Sequence, residues 1–122
     1  MDTSRSSRAQ GSAAEEHAAA LVASSGARIV ARNWSCRRGE LDIVALDGTT
    51  LAFVEVRSRS SAAYGGAAAS VGTRKQQRLI AAARAFLSQH AEYRKLAARF
   101  DVIAIDGSSP PRWLRSAFTS DA

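Results

Sequence analysis

The stretch that decides the fold is Glu40-Leu-Asp-Ile-Val-Ala-Leu46, followed by Asp47-Gly48 and then by Leu51-Ala-Phe-Val-Glu-Val-Arg57. Both outer runs are dominated by aliphatic and β-branched residues, which favour strands. An Asp-Gly pair between two such runs is a strong signal for a tight turn. The sequence therefore predicts a β-hairpin at the centre of the chain.

The charged residues of this hairpin follow the period of a strand. Side chains alternate between the two faces, so Glu40 and Asp42 share a face, as do Glu55 and Arg57. A four-residue loop over 47–50 would set Asp42 opposite Glu55, whereas a two-residue turn would set Glu40 opposite Glu55. Either even loop collects the four side chains on one surface, and a three-residue loop without a bulge would separate them.

Two interpretations of this charged surface remain open on spacing alone. Directly opposed carboxylates repel each other, so placing them together calls for a compensating charge. A divalent cation such as Mg²⁺ or Mn²⁺, bound by Asp42 and Glu55, would supply it and could activate water at a phosphate. Alternatively, the surface is the solvent-facing side of an amphipathic hairpin, in which Arg57 offsets a carboxylate.

N-terminal to the hairpin, the pattern predicts one helix and one short strand. Residues 1–10 are polar and unpatterned, which indicates a flexible terminus. Ser12 and Glu15 match a capping box at the start of a helix over residues 12–25. A β-prone run follows at Arg28–Arg32, and residues 33–39 are expected to form a basic loop.

C-terminal to the hairpin, residues 58–70 are rich in Ser, Gly and Ala and predict a mobile loop. Helical spacing of apolar residues predicts a helix from an N-cap at Thr73 to about Gln89. Phe100–Ile105 is apolar on both faces and predicts a buried strand, and Trp113–Phe118 predicts a last strand. The order αβββαββ implies a single α/β domain over residues 11–119, with a mixed β-sheet flanked by helices.

Composition narrows the class of function. The chain of 122 residues carries 17 Lys and Arg against 11 Asp and Glu, a net charge of +6. This balance favours a polyanionic partner, chiefly nucleic acid. The N-terminus lacks a hydrophobic export signal, and the single cysteine, Cys36, excludes an internal disulfide. We therefore expect a cytoplasmic protein that does not span a membrane.

The candidate nucleic-acid contacts are cations close to the hairpin or at the start of the second predicted helix. Cations in a first helical turn oppose the helix dipole, so an anionic partner such as a phosphate backbone is expected there. The alternative is a plain solvated face. The predicted contacts are Arg37, Arg38, Arg59, Arg74, Lys75 and Arg78.

The run GELDIVALDG…LAFVEVRSRS resembles the YraN family of small bacterial proteins, which are predicted endonucleases distantly related to archaeal Holliday-junction resolvases. The similarity extends over nearly the whole chain. It includes Gly11–Glu15, Ala31–Asn33, Lys75–Leu79, Arg99–Asp101 and Trp113–Phe118. The resemblance implies a restriction-endonuclease-like fold with an αβββαβ core and an extra C-terminal strand.

The resemblance also implies a metal-nuclease motif written D…E-x-K. Asp42 matches the Asp of the motif, Glu55 its Glu, and Glu15 the acidic residue on the first helix. Arg57 stands where the family usually has Lys. Arg cannot be deprotonated in a protein, so a base role is lost there, whereas its charge could still stabilise a phosphate.

Three functions follow from these residues. The first is a Mg²⁺- or Mn²⁺-dependent endonuclease that acts on structured or branched DNA, for which a homodimer would be suitable. The second is a nucleic-acid-binding module of the same fold whose hydrolysis is impaired by Arg57. The third is a basic adaptor for an acidic protein. Metal titration separates the first from the others, and a steep salt dependence of DNA binding separates the second from the third.

Overall fold

The computed structural model describes residues 3–60 and 66–120, and it describes the surroundings of side chains from residue 13 onward. Its elements are α1 (Thr3–Ser24), β1 (Arg28–Cys36), β2 (Gly39–Asp47), β3 (Thr50–Arg59), α2 (Gly66–Ala69), α3 (Thr73–Gln89), a 3₁₀ turn (Ala91–Tyr93), β4 (Ala97–Asp106) and β5 (Arg112–Phe118). This order confirms the predicted α/β class and adds the short helix α2. No helix in the described ranges combines the length and apolar character needed to cross a bilayer.

The five strands form one mixed sheet in the order β1-β2-β3-β4-β5. The central pair β3 and β4 is parallel, and the other neighbours are antiparallel. A parallel pair needs a crossover connection, which here contains α2 and α3. This single mixed-sheet domain is consistent with a restriction-endonuclease-like core.

The register of the hairpin decides between the two predicted loops. Leu46 is the strand partner of Leu51, as the four-residue loop requires, and Asp47 is the partner of Thr50. The turn therefore consists of Gly48 and Thr49, and Gly48 has a φ of 62° that glycine adopts without a steric cost. The alternative turn at Asp47-Gly48 is wrong by one residue.

Two apolar layers sandwich the sheet. On one side α1 packs through small residues, which let it approach the strands closely; this layer contains Ala14, Ala18, Val22, Ile43, Ala45, Ala52, Val54, Ile103 and Ile105. On the other side α3 contributes larger side chains to a layer that contains Leu41, Val44, Leu51, Phe53, Leu79, Ile80, Phe86, Phe100 and Val102. Since Val54 faces α1, the next residue, Glu55, faces α2 and α3.

The N-terminal prediction was wrong at two boundaries. Helix α1 begins at Thr3 and passes through Ser12, so Ser12 is not an N-cap. Helix propensity is high in the Ala-rich segment after Ser12, whereas the Ser- and Gly-containing segment before it gave no such signal. The expected basic loop over 33–39 is mostly strand, because β1 reaches Cys36 and only Arg37 and Arg38 form the turn into β2.

The predicted loop over 58–70 is also partly ordered. Strand β3 runs to Arg59, Gly66–Ala69 form α2, and residues 61–65 lie outside the described residues. The helix α2 forms because Asp106 accepts the N–H of Ala67 at 2.7 Å, a tertiary contact that local composition does not reveal. At α3, Gly72 is the N-cap and Thr73 is the first helical residue, which moves the predicted cap by one position.

Candidate metal and nucleic-acid site

Asp42 lies where the two central hairpin strands stop pairing. The β2–β3 ladder ends at the pair Ile43 and Val54. Beyond this pair, Asp42 Oδ2 accepts a hydrogen bond of 2.9 Å from the backbone N–H of Val56. The carboxylate therefore takes the place of a strand carbonyl, and this bond holds it against β3.

The side chains of Asp42 and Glu55 come into contact at this point. Burial, followed by the hydrogen bond with Glu55 and the charge of Glu55, raises the pKa of Asp42 to about 8 from its ordinary value of 3.8. The N–H of Val56 and the charge of Lys75 oppose this increase. A pair of carboxyl groups in this arrangement retains a proton near neutral pH, and a bound cation would displace it.

Glu55 is the more deeply enclosed member of the pair, with only 4% of its side chain exposed. Its Oε2 atom has no hydrogen-bond partner among the described residues. Lys75 Nζ, from the first turn of α3, lies 3.3 Å from this oxygen but is not aligned for a hydrogen bond. The contact is therefore a charge contact, and the oxygen keeps an unused acceptor site.

Arg57 shares the α2–α3 side with Glu55, but its hydrogen bond is with the connection to α3. Its Nε donates to Ser70 Oγ at 2.9 Å, and that hydroxyl donates to the carbonyl of Ala67 at 2.6 Å. The N–H of Ala67 is in turn bound to Asp106. This chain of bonds, which we call the α2 clamp, ties β3 and β4 to α2.

Glu15 approaches the carboxylates from α1. Burial raises the pKa of Glu15, as do the charges of Asp42 and Glu40, whereas a hydrogen bond from the side chain of Asn33 lowers it, as does Arg32. Asn33 lies in β1 with a φ of 51°, a left-handed conformation that Asn tolerates better than most residues. Glu15 is thus within electrostatic reach of the pair.

The predicted DNA contacts on α3 lie beside the β1–β2 turn. A Cβ atom on Gly39 would lie 3.0 Å from the backbone oxygen of Arg78, so α3 approaches the start of β2 without room for a side chain. This packing brings the exposed Arg37 and Arg38 close to α3, where Arg74 and Arg78 are exposed as well. Together these four arginines form what we call the basic ridge.

Arg59, the remaining predicted DNA contact, lies at the end of β3. It lines an open cavity of about 370 Å³ between α1 and the ends of β3 and β4. His17, Ser58 and Ser60 also line this cavity. Arg59 therefore borders the cavity beside α1, and its place in one patch with the basic ridge stays a prediction.

The donor set fits a hard cation that keeps part of its water shell. No group of three or more His, Cys, Asp or Glu side chains converges within residues 3–60 and 66–120. Two carboxylates, with water and substrate phosphates completing the coordination, are the usual protein contribution to Mg²⁺ sites. The buried Oε2 of Glu55, which accepts no hydrogen bond among the described residues and contacts the ammonium group of Lys75, is an acceptor that such an ion could use. Asp42 and Glu55 would hold it.

The residue pattern missed three features of this site. Asn33 was part of a predicted loop, and its contact with Glu15 depends on the extended β1. Ser70 carried no signal, since serine is common in loops. Lys75 was expected to contact DNA, and the structure places it on Glu55. Its position in the first turn of a helix was the one available signal, because a cation there needs an anionic neighbour.

The fold and the carboxylate pair define a small α/β domain with a candidate two-carboxylate metal centre between the inner strands β2 and β3 of a mixed sheet. The model of the family described as "Uncharacterised protein family UPF0102" matches residues 14–105. The chain belongs to this family, which confirms the resemblance to YraN.

Similar proteins cover nearly the full length of the chain. A UPF0102 protein of Pseudomonas aeruginosa (strain LESB58) is 50% identical, over 97% of this chain and 98% of its own. One from Stutzerimonas stutzeri (strain A1501) is 50% identical, over 93% and 98%. One from Pseudomonas fluorescens is 47% identical, over 94% and 97%. These matches agree with the family model over nearly the whole chain.

Proposed function

We propose that the protein is a metal-dependent endonuclease that hydrolyses phosphodiester bonds in DNA, with structured or branched DNA as its preferred substrate. The observation that carries this proposal is the contact between Asp42 and Glu55, where Glu55 Oε2 is buried without a hydrogen bond. Placing the buried Glu55 against the half-buried Asp42 costs folding free energy, and Lys75 is the one cation that contacts Glu55 among the described residues. A ligand that binds both of them is the simplest reason for keeping them.

The chain's own residues would prepare this site in three ways. The N–H of Val56 fixes the orientation of Asp42. The burial of Glu55 limits competition from bulk water for its carboxylate. Glu15 adds negative charge, which attracts a cation to the centre. A bound Mg²⁺ or Mn²⁺ would supply an activated water and neutralise charge on the phosphate.

The basic ridge provides the second part of the proposal. Arg74, Arg78, Arg37 and Arg38 are exposed, and none of them forms an ion pair with an acid among the described residues. Such arginines suit bidentate contacts with a phosphate backbone. Two of them lie on the helix that carries Lys75 and two in the neighbouring β1–β2 turn, so a bound duplex could lie over the carboxylate pair. We propose that this occurs in the cytoplasm.

The test combines cleavage with metal binding. Purified protein is incubated with a labelled four-way junction and with linear duplex of the same sequence, in Mn²⁺, Mg²⁺ or EDTA. We expect cleavage that requires the metal and favours the junction. Asp42→Asn and Glu55→Gln should each abolish it and should weaken Mn²⁺ binding measured by calorimetry. Lys95→Met serves as the control, since Lys95 is exposed and lies between α3 and β4.

Binding to DNA is tested separately in the metal-free protein. Changing Arg74 and Arg78 to Gln should weaken binding to all DNA sequences and lower the salt slope by about one for each phosphate that is no longer neutralised. Salt-dependent DNA binding without cleavage in any metal would favour the binding module, for which Arg57 in place of the motif lysine is the specific observation. Absence of both activities would favour the acidic protein partner.

A further inference from the structure

We propose that Lys75, and not Arg57, is the catalytic cation of the carboxylate centre. This inference rests on the proposed nuclease function and names the residue that performs part of it. It departs from the motif order D…E-x-K, in which the cation stands two residues after the Glu on the same strand.

The contact between Lys75 and Glu55 is the first observation. Lys75 Nζ lies 3.3 Å from Glu55 Oε2, and 35% of the Lys75 side chain is exposed against 4% for Glu55. The lysine therefore spans the distance between the buried carboxylate and the solvent. A substrate that reaches the carboxylate pair from solvent would meet the ammonium group of Lys75.

The α2 clamp is the second, independent observation. Arg57 Nε donates to Ser70 Oγ, whose own hydrogen bond goes to Ala67. These bonds direct the Nε edge of the guanidinium towards α2. A role in holding α2 against the sheet accounts for a planar cation at this position, since a guanidinium offers several donors in a fixed geometry.

The chemistry of an ammonium group suits the position of Lys75. It is a compact charge on a flexible stem, so it can move from a carboxylate oxygen to a phosphate oxygen without a backbone change. In hydrolysis a water oxygen bonds to phosphorus while the bond from phosphorus to a sugar oxygen breaks, and the sugar oxygen takes up the proton that the water releases. Lys75 would stabilise the negative charge that builds on the phosphate oxygens during this step.

The same geometry predicts how Lys75 affects metal binding. An ammonium group on Glu55 Oε2 opposes the approach of a dication to that oxygen. Removing the charge should therefore strengthen metal binding while it weakens cleavage. A residue that merely stabilised the fold would not produce these opposite effects.

The test compares the two lysines of the chain and the arginine of the motif. Lys75→Met, Lys95→Met and Arg57→Lys are assayed for junction cleavage in Mn²⁺, for Mn²⁺ affinity by calorimetry and for Tm. We expect Lys75→Met to lower the cleavage rate by about 10²–10³-fold. It should tighten Mn²⁺ binding by about three- to tenfold. Lys95→Met should change neither quantity, and Arg57→Lys should not increase cleavage.

The outcomes separate this inference from the proposed function. Metal-dependent cleavage by wild-type protein that persists in Lys75→Met would overturn the role of Lys75 and leave the nuclease intact. An increase of tenfold or more in the cleavage rate of Arg57→Lys would show that residue 57, and not Lys75, is the position of the catalytic cation. Absence of cleavage by the wild-type protein in either metal would overturn both proposals. If Lys75→Met is too unstable to assay, Lys75→Gln keeps a polar group and gives the same comparison.

Discussion

Two buried acidic regions of this protein differ in how their oxygens are satisfied. The Asp101 carboxylate, with a side-chain exposure of 0%, accepts hydrogen bonds from Arg99 Nε at 3.0 and 3.1 Å, from Trp113 Nε1 at 2.9 Å and from the N–H of Ser116 at 2.9 Å. Glu55 is nearly as buried, yet one of its oxygens accepts none. The first region joins β4 to β5, whereas the second leaves one buried carboxylate oxygen without a hydrogen bond.

The difference teaches that burial alone does not identify a functional carboxylate. A buried charge contributes to the fold when its hydrogen bonds are complete, and it costs stability when they are not. The Asp101 region meets the first condition through donors on both strands. In the Asp42 and Glu55 pair the hydrogen bonds are incomplete, because Glu55 Oε2 accepts none. Incomplete hydrogen bonding of this kind is typical of sites kept for binding or catalysis.

The largest expected effect on stability is at the satisfied carboxylate. Asp101→Ala removes the acceptor for Arg99, Trp113 and Ser116, so three donors lose their partner. We expect a loss of about 3–5 kcal/mol in the free energy of unfolding, with a fall in Tm of about 10 °C or more. Chemical denaturation measures the free energy of unfolding of Asp101→Ala, and Glu55→Gln is the variant with which it is compared. A loss at Glu55→Gln equal to that at Asp101→Ala would remove the distinction between the two regions.

A substitution at the Asp42 and Glu55 pair should increase the stability of the fold, whereas Asp101→Ala should decrease it. Asp42→Asn keeps an acceptor for the N–H of Val56 and removes the repulsion with Glu55. We expect the variant to be more stable than wild type by about 1–3 kcal/mol at pH 8, with a much smaller gain at pH 4. Denaturation at the two pH values tests this. A destabilised variant at pH 8 would show that the charge of Asp42 supports the fold.

The raised pKa of Asp42 also sets a pH dependence for the wild-type protein. Between about pH 4 and pH 8 the folded chain holds a proton that the unfolded chain has released, so this group's contribution to stability is present below pH 4 and is lost as the pH rises through 8. Because a metal ion must displace this proton, Mn²⁺ affinity should rise by up to about tenfold per pH unit up to about pH 8. Calorimetry at pH 6, 7 and 8 measures the Mn²⁺ affinity. An affinity that does not change with pH would contradict a proton held by the Asp42 and Glu55 pair.

The smallest expected effect concerns the α2 clamp. Ser70→Ala removes the hydroxyl that accepts from Arg57 and donates to Ala67. We expect a loss of about 1 kcal/mol in the free energy of unfolding, without a change in Mn²⁺ affinity. Reduced metal affinity with unchanged stability would instead place Arg57 and its partner in the carboxylate centre.

The sequence by itself determined the elements that local physics controls. Alternating side chains and the Asp-Gly turn signal placed the central hairpin and put Glu55 and Arg57 on one face. Helical periodicity placed α3, and continuous apolarity placed the buried β4. These features depend on residues that are near each other in the chain, so a single sequence contains the information.

Only the tertiary structure decided how distant segments meet. The register that sets Asp42 against Glu55 depends on a turn at Gly48-Thr49, which the even loop lengths left open. The contact of Lys75 with Glu55 depends on how α3 packs on the sheet. The backbone of α3 at Arg78 can approach β2 closely because Gly39 has no side chain. Hydrogen-bond register and helix placement are non-local properties, since the free energy that selects them comes from burying the two apolar layers together. For that reason the sequence indicated which residues carry charge, and the fold decided which charges act on one another.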